Sequence, residues 1–183
     1  MSKRRPARTI VAVVITLLAS AALFAQEETE GLQRGFSSLE LGMSLEQAQA
    51  ALLTDPSFVY RGGPDIQFLP ITRKPIIETQ GRAFIDRGIM QFHEDGLYII
   101  SLMLDQRRLG YFSVYESLVE QYGEPSRLDP GQAVWEDDAT RISLERPLTV
   151  KYIDVPVFQG ILEAGQTGEA LDEVTRERFL EQL

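Results

Sequence analysis

Apolar positions recur at helical spacing in two stretches of the chain and at strand spacing after each of them. Leu45, Ala48, Ala51 and Leu52 predict a helix over residues 44–53, and Val114, Leu118, Val119 and Tyr122 predict a second over 113–122. Both stretches open on a capping-box pattern, Ser44 with Gln47 and Ser113 with Glu116. In that pattern the hydroxyl accepts a backbone N–H three residues on, and the residue there reaches back. Both close twelve residues later on Pro-Ser, at Pro56-Ser57 and Pro125-Ser126, because proline cannot continue a helix. Gly123 suits a left-handed C-cap for the second helix.

Strand patterning follows each helix. Residues 83–85, 89–92 and 97–104 read as strands, with turns at Asp86-Arg87-Gly88 and at His93-Glu94-Asp95-Gly96. After the second helix come strands at 133–135, 141–144 and 148–153, with turns at Glu136-Asp137-Asp138 and Arg146-Pro147. The stretch from Phe58 to Gly81 carries Pro64, Pro70, Pro75 and Gly62-Gly63. Proline at that density reads as a long, apolar, partly extended loop and excludes a central strand. Beyond Pro156 the chain reads as loop to Gly168, then as an amphipathic helix over 169–182 with Leu171, Val174, Phe179 and Leu180 on its apolar side. The expected fold class is therefore α+β. Two tandem helix-plus-three-strand units, about 36–105 and 106–158, form one antiparallel sheet with helices on one face, and a C-terminal loop and helix occupy 159–183.

The ends and the composition set the compartment. Lys3, Arg4, Arg5 and Arg8 precede a 15-residue weakly polar run from Ile10 to Phe24. That run is short of the ~20 residues of a comfortable membrane span. Residues 1–25 read as a signal peptide ending at Ala25, and an N-terminal membrane anchor is the competing reading. Residues 26–35 read as a flexible leader. The chain has no cysteine, which excludes a lipidated N-terminal Cys, a disulfide framework and thiolate chemistry. Removing residues 1–25 takes the net charge from −9 to −13, a surface that repels nucleic acid and anionic headgroups. Neither nucleic acid nor stable membrane insertion after signal cleavage is expected.

Leu41-Gly42-Met43-Ser44, Gln47-Ala48, Leu52 and Pro56 resemble the helix signature of the SmpA/OmlA (BamE-like) small envelope proteins. Phe92-His93-Glu94-Asp95-Gly96-Leu97 is similar to that family's strand–turn–strand motif, and Tyr122-Gly123-Glu124-Pro125 with Trp135 matches it more loosely. Two such units in tandem resemble the β-lactamase-inhibitor-protein fold. Leu53 stands where the signature has Gly, and the family's lipidated Cys is absent. The resemblance implies an exported, periplasmic or envelope protein that works by binding other envelope proteins, in outer-membrane assembly or maintenance. The competing class is a small-ligand (peptide or lipid) binder or inhibitor-like periplasmic module.

No catalytic constellation accompanies these motifs. His93, the single histidine, lies beside a turn with no motif that supplies a nucleophile or an orienting acid. Glu136-Asp137-Asp138 lacks the spacing and Gly of a calcium loop and reads as a solvated turn. No phosphate-cradling loop, nucleophile elbow or zinc-binding helix is present. The reading is non-enzymatic, with no cofactor and no metal. Trp135, Tyr152, Phe84 and Phe92 read as core, and Arg107-Arg108 as linker solvation. Aromatic and aliphatic residues in a Pro/Gly-rich loop are natural contact anchors, so Tyr60, Ile66, Phe68 and Leu69, with a sheet face, are the candidate partner-binding surface. The competing reading is that this loop folds back and caps an open sheet face.

Overall fold

Ser44 caps the first helix as its sequence predicts. In the computed structural model, which describes residues 31–68 and 74–166, its hydroxyl accepts from the Gln47 N–H at 3.2 Å, and the Gln47 side chain accepts from the Ser44 N–H at 2.9 Å. Helix α1 then runs Leu45–Thr54. A short ribbon, β1 (Gly35–Phe36) and β2 (Leu39–Glu40), precedes it. After it come β3 (Phe58–Val59), a 3-10 turn (Gly63–Asp65), β4 (Ile66–Phe68), β5 (Pro75–Gly81), β6 (Ile85–His93) and β7 (Gly96–Leu104). Helix α2 (Tyr111–Tyr122) leads to β8 (Arg127–Asp129), β9 (Gln132–Glu136), β10 (Thr140–Glu145) and β11 (Thr149–Asp154). A third helix, α3, begins at once and covers residues 155–166. The expected signal segment, Pro70 and the expected helix at 169–182 lie outside the described residues.

The fold is α+β, with one large antiparallel sheet in the order β3-β5-β6-β7-β11-β10-β9-β8, and with β4 also paired to β5. Register fixes which side chains share a face. Ile77, Met90, Ile100, Tyr152, Ile142 and Trp135 lie opposite one another in succession, a single row running from β5 to β9. The next row on that face is Thr79, Gly88, Leu102, Val150, Leu144 and Ala133. Ala48 and Leu52 of α1 and Leu118 of α2 join these residues in one buried cluster, so both helices pack on this side. Among the described residues the cluster draws on positions from Leu39 to Tyr152.

Five expectations need correction. The 58–81 segment is strand-rich, and β5 is an interior strand with β6 on one side and β3 and β4 on the other. Its prolines do not prevent this: Pro75 is the first residue of β5 and Pro64 lies in the 3-10 turn, where no ladder donor is required. Asp86-Arg87-Gly88 is not a turn but part of β6, with a register irregularity between Ile85 and Arg87. The turn lies earlier, where the Ile85 N–H bonds to the Arg82 carbonyl and Ala83 takes φ 55°. Gly88 is small for a different reason. A β-carbon there would lie 2.6 Å from the Phe58 ring.

The second capping box does not form. Helix α2 starts at Tyr111 with Gly110 as N-cap and no side-chain cap, which leaves Ser113 inside the first turn. Tertiary contacts at Tyr111 hold the extra residues, since its hydroxyl donates to the Leu144 carbonyl and Arg146 lies 4.3 Å over its ring. Residues after Pro156 are helical rather than loop. Asp154 accepts from the Val157 N–H at 3.1 Å and so caps α3, and proline is tolerated in a first turn. Residues 31–34, assigned to the flexible leader, are fastened to the domain. The Leu32 N–H bonds to Asp137, and Arg34 pairs with Asp154 at 2.6 Å.

Carboxylates hold several of these joints. Burial opposes ionisation of Asp55, Asp65 and Asp137, but hydrogen bonds outweigh it: from Ser38 and Ser57 to Asp55, from Arg61 to Asp65, and from Leu32, Thr140 and Ala139 to Asp137. Each is held below the ordinary carboxylate value of 3.8. Because the folded values lie below the unfolded ones, the stability they contribute is complete above about pH 5. It drains away as pH falls through the folded values. Urea midpoints measured from pH 7 to pH 3 should therefore fall on the acid side, and Asp65→Asn should flatten part of that slope. A midpoint constant down to pH 3 would contradict this assignment.

Candidate functional site

The face opposite α1 and α2 is built from the alternate positions of the same strands. Ile76, Gln91, Ile99, Ile153, Arg141 and Glu136 form one row across it. Glu78, Ile89, Ser101, Lys151, Ser143 and Val134 form the next. Arg87, Met103, Thr149, Glu145 and Gln132 form a third. Ile99, Val134 and Ile153 are buried but stand apart from the helix-side cluster, which places them on this second face. Ile76, Ile89 and Met103 are half-buried.

Polar side chains organise the centre of this face. Lys151 bridges to Glu145 at 2.6 Å, Ser143 donates to Glu145 at 3.0 Å, and Arg141 pairs with Glu136 at 2.5 Å. Buried Ser101 and Ser143 form a low floor between these long side chains. The result is a polar depression of about 220 Å³. Phe158 of α3 is part of its lining, with Arg141 5.8 Å over its ring. Tyr98 sits at the irregularity between β6 and β7, edge-on to His93 with centroids 6.1 Å apart. Burial pushes its phenol up from the ordinary value.

The candidate residues of the 58–81 segment are dispersed. Tyr60 and Ile66 are half-buried and pack against the helix-side core. Burial, with Asp65 close by, raises the Tyr60 phenol. Phe68 lies in β4, paired with Pro75, and Leu69 lies outside the described residues. His93 Nδ1 stands 2.7 Å from the Lys74 ammonium, which can only donate, so Nδ1 accepts. That contact occupies the nitrogen a general base would use.

In the acidic turn, the Asp137 carboxylate accepts from the Leu32, Ala139 and Thr140 N–H groups. It is a structural anchor rather than the solvated turn residue the sequence suggests. Arg108 is likewise more than linker solvation: it donates to the Ala83 carbonyl and lies 4.6 Å over Phe84. Sequence reasoning did not single out Ile89, Tyr98 or Met103. Their signal was present, because β5, β6 and β7 keep apolar residues on both parities, as strands covered on both faces do.

Among the described residues, no helix is long and apolar enough to cross a membrane. The family model described as the TP0088 domain matches residues 34–164. No curated protein and no solved structure matches the chain.

Proposed function

The chain belongs to the TP0088 domain family, and we propose that it is a non-enzymatic envelope protein that binds a protein partner on the sheet face opposite α1 and α2. The carrying observation is the composition of that face. Ile76, Ile89, Ile99, Met103 and Ile153 are interspersed with Glu78, Arg87, Arg141, Glu145 and Lys151 on one continuous surface. Apolar side chains mixed with charged ones on one surface are the makeup of protein contact sites, and Tyr98 adds an aromatic anchor. The basic n-region and apolar run of residues 1–25 support export, and the resemblance to SmpA/OmlA envelope proteins supports outer-membrane assembly or maintenance as the setting.

The strand order supports a tandem reading as well. Helix α1 precedes β5-β6-β7 and α2 precedes β9-β10-β11, and the last strand of each set, β7 and β11, pair antiparallel in mid-sheet. We read these as two related units joined back to back, which builds one broad face from two small ones.

Affinity capture from detergent-solubilised envelopes tests the reading, with the tagged chain from Gln26 to Leu183 as bait. The wild-type chain should recover a reproducible envelope protein. The double variant Ile89→Ser, Met103→Ser should lose it while its melting temperature falls by only a few degrees. Equal recovery by both would remove the sheet face from the mechanism.

A further inference from the structure

On the helix side, away from the face just described, an apolar cleft of about 530 Å³ opens between β1, the α1–β3 connection, the β5–β6 turn and α2. Phe36, Pro56, Phe84, Ile85, Leu109 and Val114 make its walls, and its polar lining is confined to serine hydroxyls and Arg82. Phe84, on the turn at the rim, is 46 % exposed. A volume of this order is what small-molecule sites offer, and apolar walls with a few placed polar groups are their usual chemistry.

The charge at the rim is unusual for this protein. Arg82 and Arg108 flank the Ala83-Phe84 turn, the first donating through Nε to the Phe58 carbonyl and the second donating to the Ala83 carbonyl while lying on the Phe84 ring. Among the described residues neither makes an ion pair, whereas neighbouring Arg107 is paired with Asp105. In a chain of net charge −9, Arg82 lines this apolar trough and Arg108 reaches its rim through Ala83 and Phe84, with Asp105 near Arg108 but no carboxylate in ion-pair contact with either among the described residues. Each holds the turn with one N–H and keeps others for a ligand, since a guanidinium has five donors. Guanidinium forks match carboxylates well.

We infer that this cleft binds a single long-chain carboxylate, with the hydrocarbon tail along the Phe36–Val114 trough and the carboxylate on Arg82 and Arg108. The tail is held by removal of apolar surface from water, and the head selects an anion over a neutral analogue. The overall negative charge of the chain does not oppose this. A lone amphiphile responds to the charges within about one Debye length, ~8 Å at physiological salt, and around this turn Arg107 and Arg108 stand with Asp105 and Asp86 while Arg82 lines the cleft itself.

A fluorescence titration tests the proposal, with 11-(dansylamino)undecanoic acid as probe and the full chain as the protein. Saturable, blue-shifted emission is expected, displaced by palmitate at least about tenfold more effectively than by hexadecanol. Ser117 is exposed on α2 and lines the cleft, so Ser117→Trp fills the trough from its wall without opening the core. That variant should lose at least about tenfold in probe affinity with an unchanged melting temperature. Arg82→Gln with Arg108→Gln should weaken palmitate and leave hexadecanol where it was. Absence of saturable binding, full binding by Ser117→Trp, or equal competition by hexadecanol would each overturn the inference. Because the cleft and the sheet face share no residue, this test fails or succeeds independently of partner capture.

Discussion

Replacing Trp135 by alanine should lower the unfolding free energy by about 3–5 kcal/mol, the range for removing a large aromatic from a packed core. Trp135 is 2 % exposed and ends the six-residue row that begins at Ile77. Its ring packs against Tyr115 of α2 with centroids 6.2 Å apart, and its Nε1 donates to the Gly123 carbonyl at 2.8 Å. One side chain thus joins the sheet, the helix face and the helix C-cap. Trp135→Phe separates the contributions. It keeps most of the packing but leaves the Gly123 carbonyl without that donor, and should cost about 1–3 kcal/mol. Urea denaturation with a two-state fit measures both. An alanine variant less than about 1.5 kcal/mol below wild type would mean that the Trp135 contacts are peripheral.

Phe58 and Gly88 should show strong coupling. Phe58 is buried, meets Phe36 edge-on with centroids 6.3 Å apart, and fills the space over Gly88. Phe58→Ala should cost about 3–5 kcal/mol through lost burial and the cavity left behind. Gly88→Ala in the wild-type background should cost about 1–3 kcal/mol, because the new methyl would meet the Phe58 ring and the surrounding core cannot simply move aside. With Phe58→Ala already in place, the methyl enters vacated space, so Gly88→Ala should cost close to nothing. Adding the two single losses would then overestimate the double variant. Strict additivity would show that the ring and the glycine do not compete for one volume.

Particular residues show what the sequence revealed and what it concealed. Local signals read true wherever the cause was local. The Ser44–Gln47 box starts α1, Gly123 takes φ 78° at the end of α2, and the 93–96 hairpin turns where expected. Even there the strained positions are Glu94 and Asp95, with φ 48° and 68°, rather than Gly96. Misreadings arose where the cause was remote. Gly88 resembles a turn glycine until Phe58 is seen above it. Pro156 resembles a breaker until Asp154, fixed by Arg34 from the other end of the chain, is seen capping the turn that holds it. The second capping box yielded to contacts between Tyr111, Leu144 and Arg146 that join α2 to β10 and its turn. The candidate site was legible only in outline. Under the proposed function, the two-sided apolar pattern of β5, β6 and β7 points to the strands as contact surface, beside the 58–81 segment that Pro/Gly density singled out.

Site-specific photo-cross-linking tests the central claim most directly. Benzoylphenylalanine placed at Ile89 or Met103, on the face opposite α1 and α2, should give discrete adducts with one envelope protein when cells making the full chain are irradiated. The same group at Glu120, exposed on α2, should give none. Adducts from Glu120 with none from Ile89 or Met103 would contradict the account and move the working surface to the helices.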